Sequence, residues 1–199
     1  LIGKERARLG THIDAFFPHA IERSPEVVRS RLLTALSSLE AELALIRERG
    51  RFSAGSGDWF FSSDEGTITG EGPAGLSISV YPTVVRFTSV ERFNAFERPD
   101  QGIDVALRQV FEVTAATFGA AGRLAVAAGG FGDADQAADI AFDGGGFTDV
   151  YACLEAVVGT PARSWVELES GLHGWYLSAP EPDPVSIRPE GHRVAKPYS

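Results

Sequence analysis

Six apolar residues, Val28, Leu32, Leu36, Leu39, Leu43 and Ile46, recur at spacings of 4, 4, 3, 4 and 3. A helix brings such positions onto one face. Residues 24–50 therefore predict one long helix with a single apolar side, and the rest of the chain must supply something for that side to cover. Ser24 has a capping side chain, Pro25 the fixed φ of a first helical residue, and Glu26 suits the positive end of the dipole. Arg47 and Arg49 suit the other end, and Gly50 stops the helix. The seam has two uses. It can lie across a sheet of its own chain, or pair with a second copy as a homodimer contact. Only about three heptads are present, which favours the first use.

The stretch after this helix is rich in strands. Residues 58–62 (DWFFS) and 66–69 flank Ser63-Asp64-Glu65 and predict a hairpin. Residues 76–81 (LSISVY) alternate apolar and polar, and a strand resumes at 84–87 after Pro82. Thr88-Ser-Val-Glu91 matches a capping box and predicts a short helix carrying Val90, Phe93 and Phe96, ended by Pro99. A second helix spans 103–118, with so little charge that it should be buried. Residues 123–128 (RLAVAA) and 138–142 (ADIAF) read as two strands. A helix over 149–158, capped by Thr148, comes next, then a last hairpin from 164–168 (SWVEL) and 174–178 (GWYLS). Near the start, Ile13, Phe16 and Phe17 suggest a short amphipathic turn that Pro18 ends.

Strands joined by turns, rather than by helical crossovers, predict an α+β fold with a mainly antiparallel sheet. The long N-terminal helix and two or three further helices pack on it. Nothing in the chain divides it, so a single domain is expected. Residues 1–51 form its helical N-terminal segment and 52–178 a sheet-and-helix body. Residues 179–199, with five of the eleven prolines, form an extended tail.

Charge bears on partners. Residues 1–51 carry a net charge of +2, and residues 52–199 carry −11. A field of that sign repels nucleic-acid phosphates and anionic membranes and attracts a basic protein. Cys153 is the single cysteine, so no internal disulfide forms. No apolar run approaches the ~20 residues of a membrane span. These points together predict a cytoplasmic protein.

Most motifs that suggest chemistry lack the context that chemistry needs. Gly70-Glu-Gly72-Pro-Ala-Gly75 spells GxGxxG. A pyrophosphate site needs a helix after it, whereas a strand comes next and Pro73 removes an amide. A glycine-rich turn is the reading. Asp133, Asp135, Asp139 and Asp143 hint at a calcium loop, but an EF-hand wants a ligand at 137 and glycine at 138, and both are alanine. His12, His19, His173 and His192 form no metal-binding spacing. Cys153 lies on an apolar helix face with Val150, Leu154 and Val157, as a structural thiol does. Glu167 and Glu169 alternate on one face of a predicted strand. Trp59, Trp165 and Trp175 suit a core more than a pocket.

No cofactor is implied. The expectation is an acidic protein-binding module, neutralising or chaperoning a basic partner such as a toxin or secreted effector. Asp133, Asp135, Asp139, Asp143, Glu167 and Glu169 form the candidate partner surface. The alternative is a hydrolase-like enzyme with scattered site residues around His173, with Asp143 and Glu167.

Overall fold

In this computed structural model the described residues are 12–49, 58–89, 102–129, 134–171 and 174–178. They form β1 (His12–Pro18), α1 (Pro25–Ser37), α2 (Glu40–Arg49), β2 (Phe60–Asp64), β3 (Thr67–Glu71), β4 (Leu76–Val80), β5 (Val84–Ser89), α3 (Ile103–Thr117), β6 (Leu124–Gly129), α4 (Asp135–Phe142), α5 (Phe147–Val158), α6 (Trp165–Gly171) and β7 (Gly174–Ser178). The strands make one seven-stranded sheet in the order β2-β3-β4-β5-β1-β6-β7, antiparallel throughout. The fold is α+β, as the turn-joined strands predict. None of the described helices is long and apolar enough to cross a membrane.

The sheet separates two cores. On one side Ile13, Phe17, Ile78, Val85, Phe87 and Val126 meet Leu32, Leu36 and Ile46 from α1 and α2, and Leu107, Val110 and Phe111 from α3. The apolar seam of residues 28–46 is thus turned into the domain's own core. On the other side Phe16, Val84, Ala125, Ala127 and Trp175 meet Ala137, Ala138 and Ala141 from α4 and Val150 and Leu154 from α5.

The structure corrects several sequence expectations. The residues around Ile13 form the strand β1 between β5 and β6, not an amphipathic turn. Both faces of β1 are covered, so Phe16 and Phe17 are both buried and no alternation marks the strand. The long helix is two helices. Ser24 caps α1 as expected, its Oγ accepting from Val27 N at 3.2 Å. The break comes after Ser37, where the Ser37 and Ser38 hydroxyls donate to the carbonyls of Thr34 and Ala35, each at 2.8 Å. Such local bonds compete with the helical ladder.

Residues 138–142 belong to helix α4, not to a strand. Ala137, Ala138 and Ala141 are buried at helical spacing, and alanine favours the helix. Residues 164–168 enter helix α6, so the last predicted hairpin keeps only β7. Helix α5 starts after Gly146, whose N–H donates to Asp149 Oδ2 at 2.8 Å, rather than at Thr148. Thr88 caps nothing, because it lies inside β5. The helix predicted around Phe93 and the proline-rich tail lie outside the described residues.

The GxGxxG segment has a packing role. Gly70 sits in β3, and Gly72 precedes a 3-10 turn at Pro73–Gly75. The Phe61 ring lies over Gly70, and the Trp59 indole over Gly72. A Cβ on Gly70 would fall 2.6 Å from the Phe61 ring. The two rings stack with centroids 6.2 Å apart. Each glycine therefore makes room for an aromatic ring. Trp59 is buried, so its indole has nowhere to retreat without opening the core. Gly72→Ala is expected to cost about 1–3 kcal/mol as overpacking. Urea unfolding monitored by Trp fluorescence measures it, and an unchanged midpoint would contradict this account.

Candidate functional site

Parity along the central strands places Asp14 of β1 and Arg86 and Thr88 of β5 on the α4–α5 side of the sheet. Asp14 is paired with Thr88, and Phe16 with Arg86. Asp14 is buried, and its Oδ1 accepts from Arg86 Nε at 2.7 Å and from Thr88 Oγ1 at 2.6 Å. Arg86 Nη2 reaches Asp135 Oδ1 at 3.0 Å. Its guanidinium carbon lies 6.0 Å from the centre of the Phe16 ring. Burial opposes the charge on Arg86, but Asp14 and then Asp135 outweigh it and raise its pKa above the ordinary arginine value. The cluster is a charged rivet between the sheet and the first turn of α4.

Asp135 is thus brought to the surface already holding a partner inside the molecule. Asp139 and Asp143 come next along α4 at intervals of four residues, one helical face, and both are exposed. Asp133 lies outside the described residues. Asp149 and Glu155 of α5 add exposed carboxylates to the same layer. Between Arg123 and Arg163 the chain has six acidic residues and no lysine or arginine. The fold gathers five of them, from Asp135 to Glu155, on α4, α5 and their connection. On the opposite side of the sheet α1 and α2 hold four acidic and four basic residues over 25–49, and α3 adds Asp104, Arg108 and Glu112, for a net charge of −1.

Glu167 and Glu169 do not share a strand face, because both lie in helix α6. Trp165 and Leu168, three apart, are the buried pair, while Val166 is 69% exposed. Ser164 Oγ accepts from Glu167 N at 3.2 Å, and Glu167 Oε2 accepts from Arg163 N at 2.6 Å. Hydrogen bonds from Arg163 hold the Glu167 carboxyl below its usual pKa. Its charge is shared with that neighbour. The sequence Ser164-Trp-Val-Glu167 spells a capping box, and that signal would have found the helix.

His19 and Cys153 complete the titratable groups of interest. His19 Nε2 lies 2.9 Å from the carbonyl oxygen of Tyr81, which can only accept, so Nε2 carries the hydrogen. Nδ1 is buried without a partner. Burial lowers the His19 pKa, the Tyr81 carbonyl opposes this, and Arg23 adds to the lowering. Cys153 is half-buried on α5, and burial with the nearby Asp139 raises its pKa, away from a reactive thiolate. His173, the centre of the enzymatic alternative, lies outside the described residues. Asp143 and Glu167 lie on different elements, α4's end and α6.

Along the outer side of α1 runs an open depression of about 550 Å³, lined by Glu26, Arg29, Ser30, Leu33, Thr34 and Ser37. All six come from one helix, so nothing encloses it. Among the described residues no group of three or more His, Cys, Asp or Glu side chains converges to hold a metal ion. No protein-family model, curated protein or solved structure matches this chain.

Proposed function

We propose that this domain is a binding module whose acidic α4–α5 layer holds a basic protein partner. The role is neutralisation or chaperoning, of a toxin or a secreted effector for example. The observation that carries this reading is the uneven charge: five acidic residues and no lysine or arginine on α4, α5 and their connection, against six acidic and five basic residues on α1–α3. Ile140, Phe142 and Val157 on the same two helices are large apolar side chains left exposed. Charge steers a partner and fixes its register, and exposed apolar groups supply contact once it has docked.

The test uses the whole chain, immobilised and exposed to lysate of its source at about 50 mM salt, where surface charges are weakly screened. A basic protein should be retained and released by about 0.5 M salt. The triple variant Asp139→Lys/Asp143→Lys/Glu155→Lys changes only exposed positions and leaves Asp135 with Arg86. It should weaken retention by at least about tenfold, since like charges across an interface repel. Retention unaffected by the triple variant and by salt would remove this reading, as would the capture of no protein at all.

A further inference from the structure

The two edges of the sheet differ. On the outer side of β7, Ala162 N donates to the Trp175 carbonyl at 2.7 Å, and Ala162 bridges Tyr176, so that edge is covered. On the outer side of β2, no strand pairs among the described residues. The β2–β3 turn fixes which groups face outward. Glu65 and Gly66 both have positive φ, 47° and 78°, and close on the pair Asp64 and Thr67. In a two-residue hairpin of this kind the closing pair exchanges ladder bonds, and bonding then alternates along the strand. Phe60, Ser62 and Asp64 therefore bond to β3. The N–H and C=O groups of Phe61 and Ser63 point away from the sheet.

Strand β2 lacks two of the devices that protect such an edge. It has no lysine and no proline. Phe60 is 67% exposed. The charges around it are acidic: Asp58 before the strand, Asp64 and Glu65 at its end, and Glu71 opposite Phe60 on β3, all exposed. Among the described residues the Arg23 guanidinium reaches the hairpin, and its Nη1 is held by the Gly66 carbonyl oxygen at 2.7 Å. Two copies of this edge would set like charges side by side. A strand carrying lysine or arginine among apolar residues complements it.

We infer that β2 receives an extended basic segment of the partner by strand addition, pairing with Phe61 and Ser63 as an eighth strand. This rests on the reading of the protein as a module for a basic partner and adds how that partner is held. The backbone supplies affinity, Phe60 an apolar contact, and the flanking carboxylates the preference for cations.

The probe is a synthetic ten-residue peptide of alternating lysine and valine, titrated into the full chain by fluorescence anisotropy and then by amide hydrogen exchange. Binding should slow exchange at Phe61 and Ser63. It should weaken by at least tenfold when glutamate replaces lysine, or when alternate peptide amides are methylated. Ser63→Pro removes an outward N–H and leaves the β2–β3 ladder whole, because edge positions of this kind tolerate proline. It should also weaken binding at least tenfold with an unchanged thermal midpoint. If that variant does not fold, Asp58→Lys/Asp64→Lys, at two exposed positions, should give the same loss.

Equal binding to the β2 variants and to the original chain would overturn the inference, as would no binding of the basic peptide. Protection of Phe61 and Ser63 that grows with protein concentration alone would assign the edge to a second copy and overturn it too. Asp139→Lys/Asp143→Lys/Glu155→Lys separates the two readings. Loss of lysate capture with peptide binding kept means that β2 acts by strand addition and that α4–α5 is a second contact. Capture unaffected by that triple variant, with peptide binding lost in Ser63→Pro, removes the α4–α5 reading and leaves the β2 one standing.

Discussion

Arg86→Leu is expected to cost about 3–5 kcal/mol of folding stability, the range for breaking a buried ion pair on one side. The variant leaves the Asp14 carboxylate in the interior, with the Thr88 hydroxyl as the donor that remains from the cluster. The side chains of Asp14 and Arg86 are 4% and 19% exposed, so water replaces the lost guanidinium poorly. The double variant Asp14→Leu/Arg86→Leu removes the stranded charge, and more than half of the loss should return. Urea unfolding of the original chain, both single variants and the double variant gives the coupling directly. A double variant as unstable as the sum of the singles would show that the pair does not act as a unit. Asp135, released from Arg86 in the single variant, also loses its tie to the sheet. Hydrogen exchange should then rise first in α4.

Trp175→Ala is expected to cost about 3–5 kcal/mol, as other large-to-small aromatic deletions do. Trp175, in β7, is 1% exposed and packs in the core that the sheet forms with α4 and α5. Its Nε1 also donates to the Gly159 carbonyl at 2.6 Å, where α5 ends. Trp175→Phe separates the two contributions. It keeps most of the ring contact and loses the donor, for about 1 kcal/mol. Calorimetry on the three proteins reads both steps. A loss from Trp175→Phe as large as that from Trp175→Ala would place the stabilisation in the hydrogen bond instead of the packing.

Elements with one dry face and one wet face are legible in the sequence. The seam from Val28 to Ile46, the alternation of LSISV and the terminating glycine after the 103–118 helix each state their period plainly. Elements buried on both sides are not. The run HIDAFFP has no polar face to reveal that it is a strand, because one side meets α1–α3 and the other α4–α5. In ADIAF the short apolar segment reads as a strand, yet Ala137, Ala138 and Ala141 are buried at helical spacing, and small residues are what a helix needs to lie close to a sheet. In SWVEL the Ser164 cap outweighs the β propensity of Trp and Val.

The acidic candidates are legible as residues and not as a surface. Sign alone groups Glu167 with Asp139 and Asp143 in the sequence. It does not reveal that Arg163 holds Glu167, that Arg86 claims Asp135, or that α4 and α5, which carry no lysine or arginine, cover the same face of the sheet. That no described strand pairs with the outer side of β2 is invisible for a similar reason. An edge is a property of strand order, and the order is decided by residues far away in the chain.

Strand β1 opens the described chain and takes the fifth place in the sheet. It joins β2–β5 to β6–β7, and these two groups share no other strand pairing among the described residues. Asp14 finds Thr88 across 74 residues and Arg86 across 72. A ribosome therefore releases β1 long before either of its neighbours exists, and the strand waits with both sides unpaired until β5 and then β6 have been made. Contacts of this range make closure of the sheet late and slow. Until then the growing chain carries a meander with an open edge at β5, the moment at which a chaperone or a second nascent chain has most to grip.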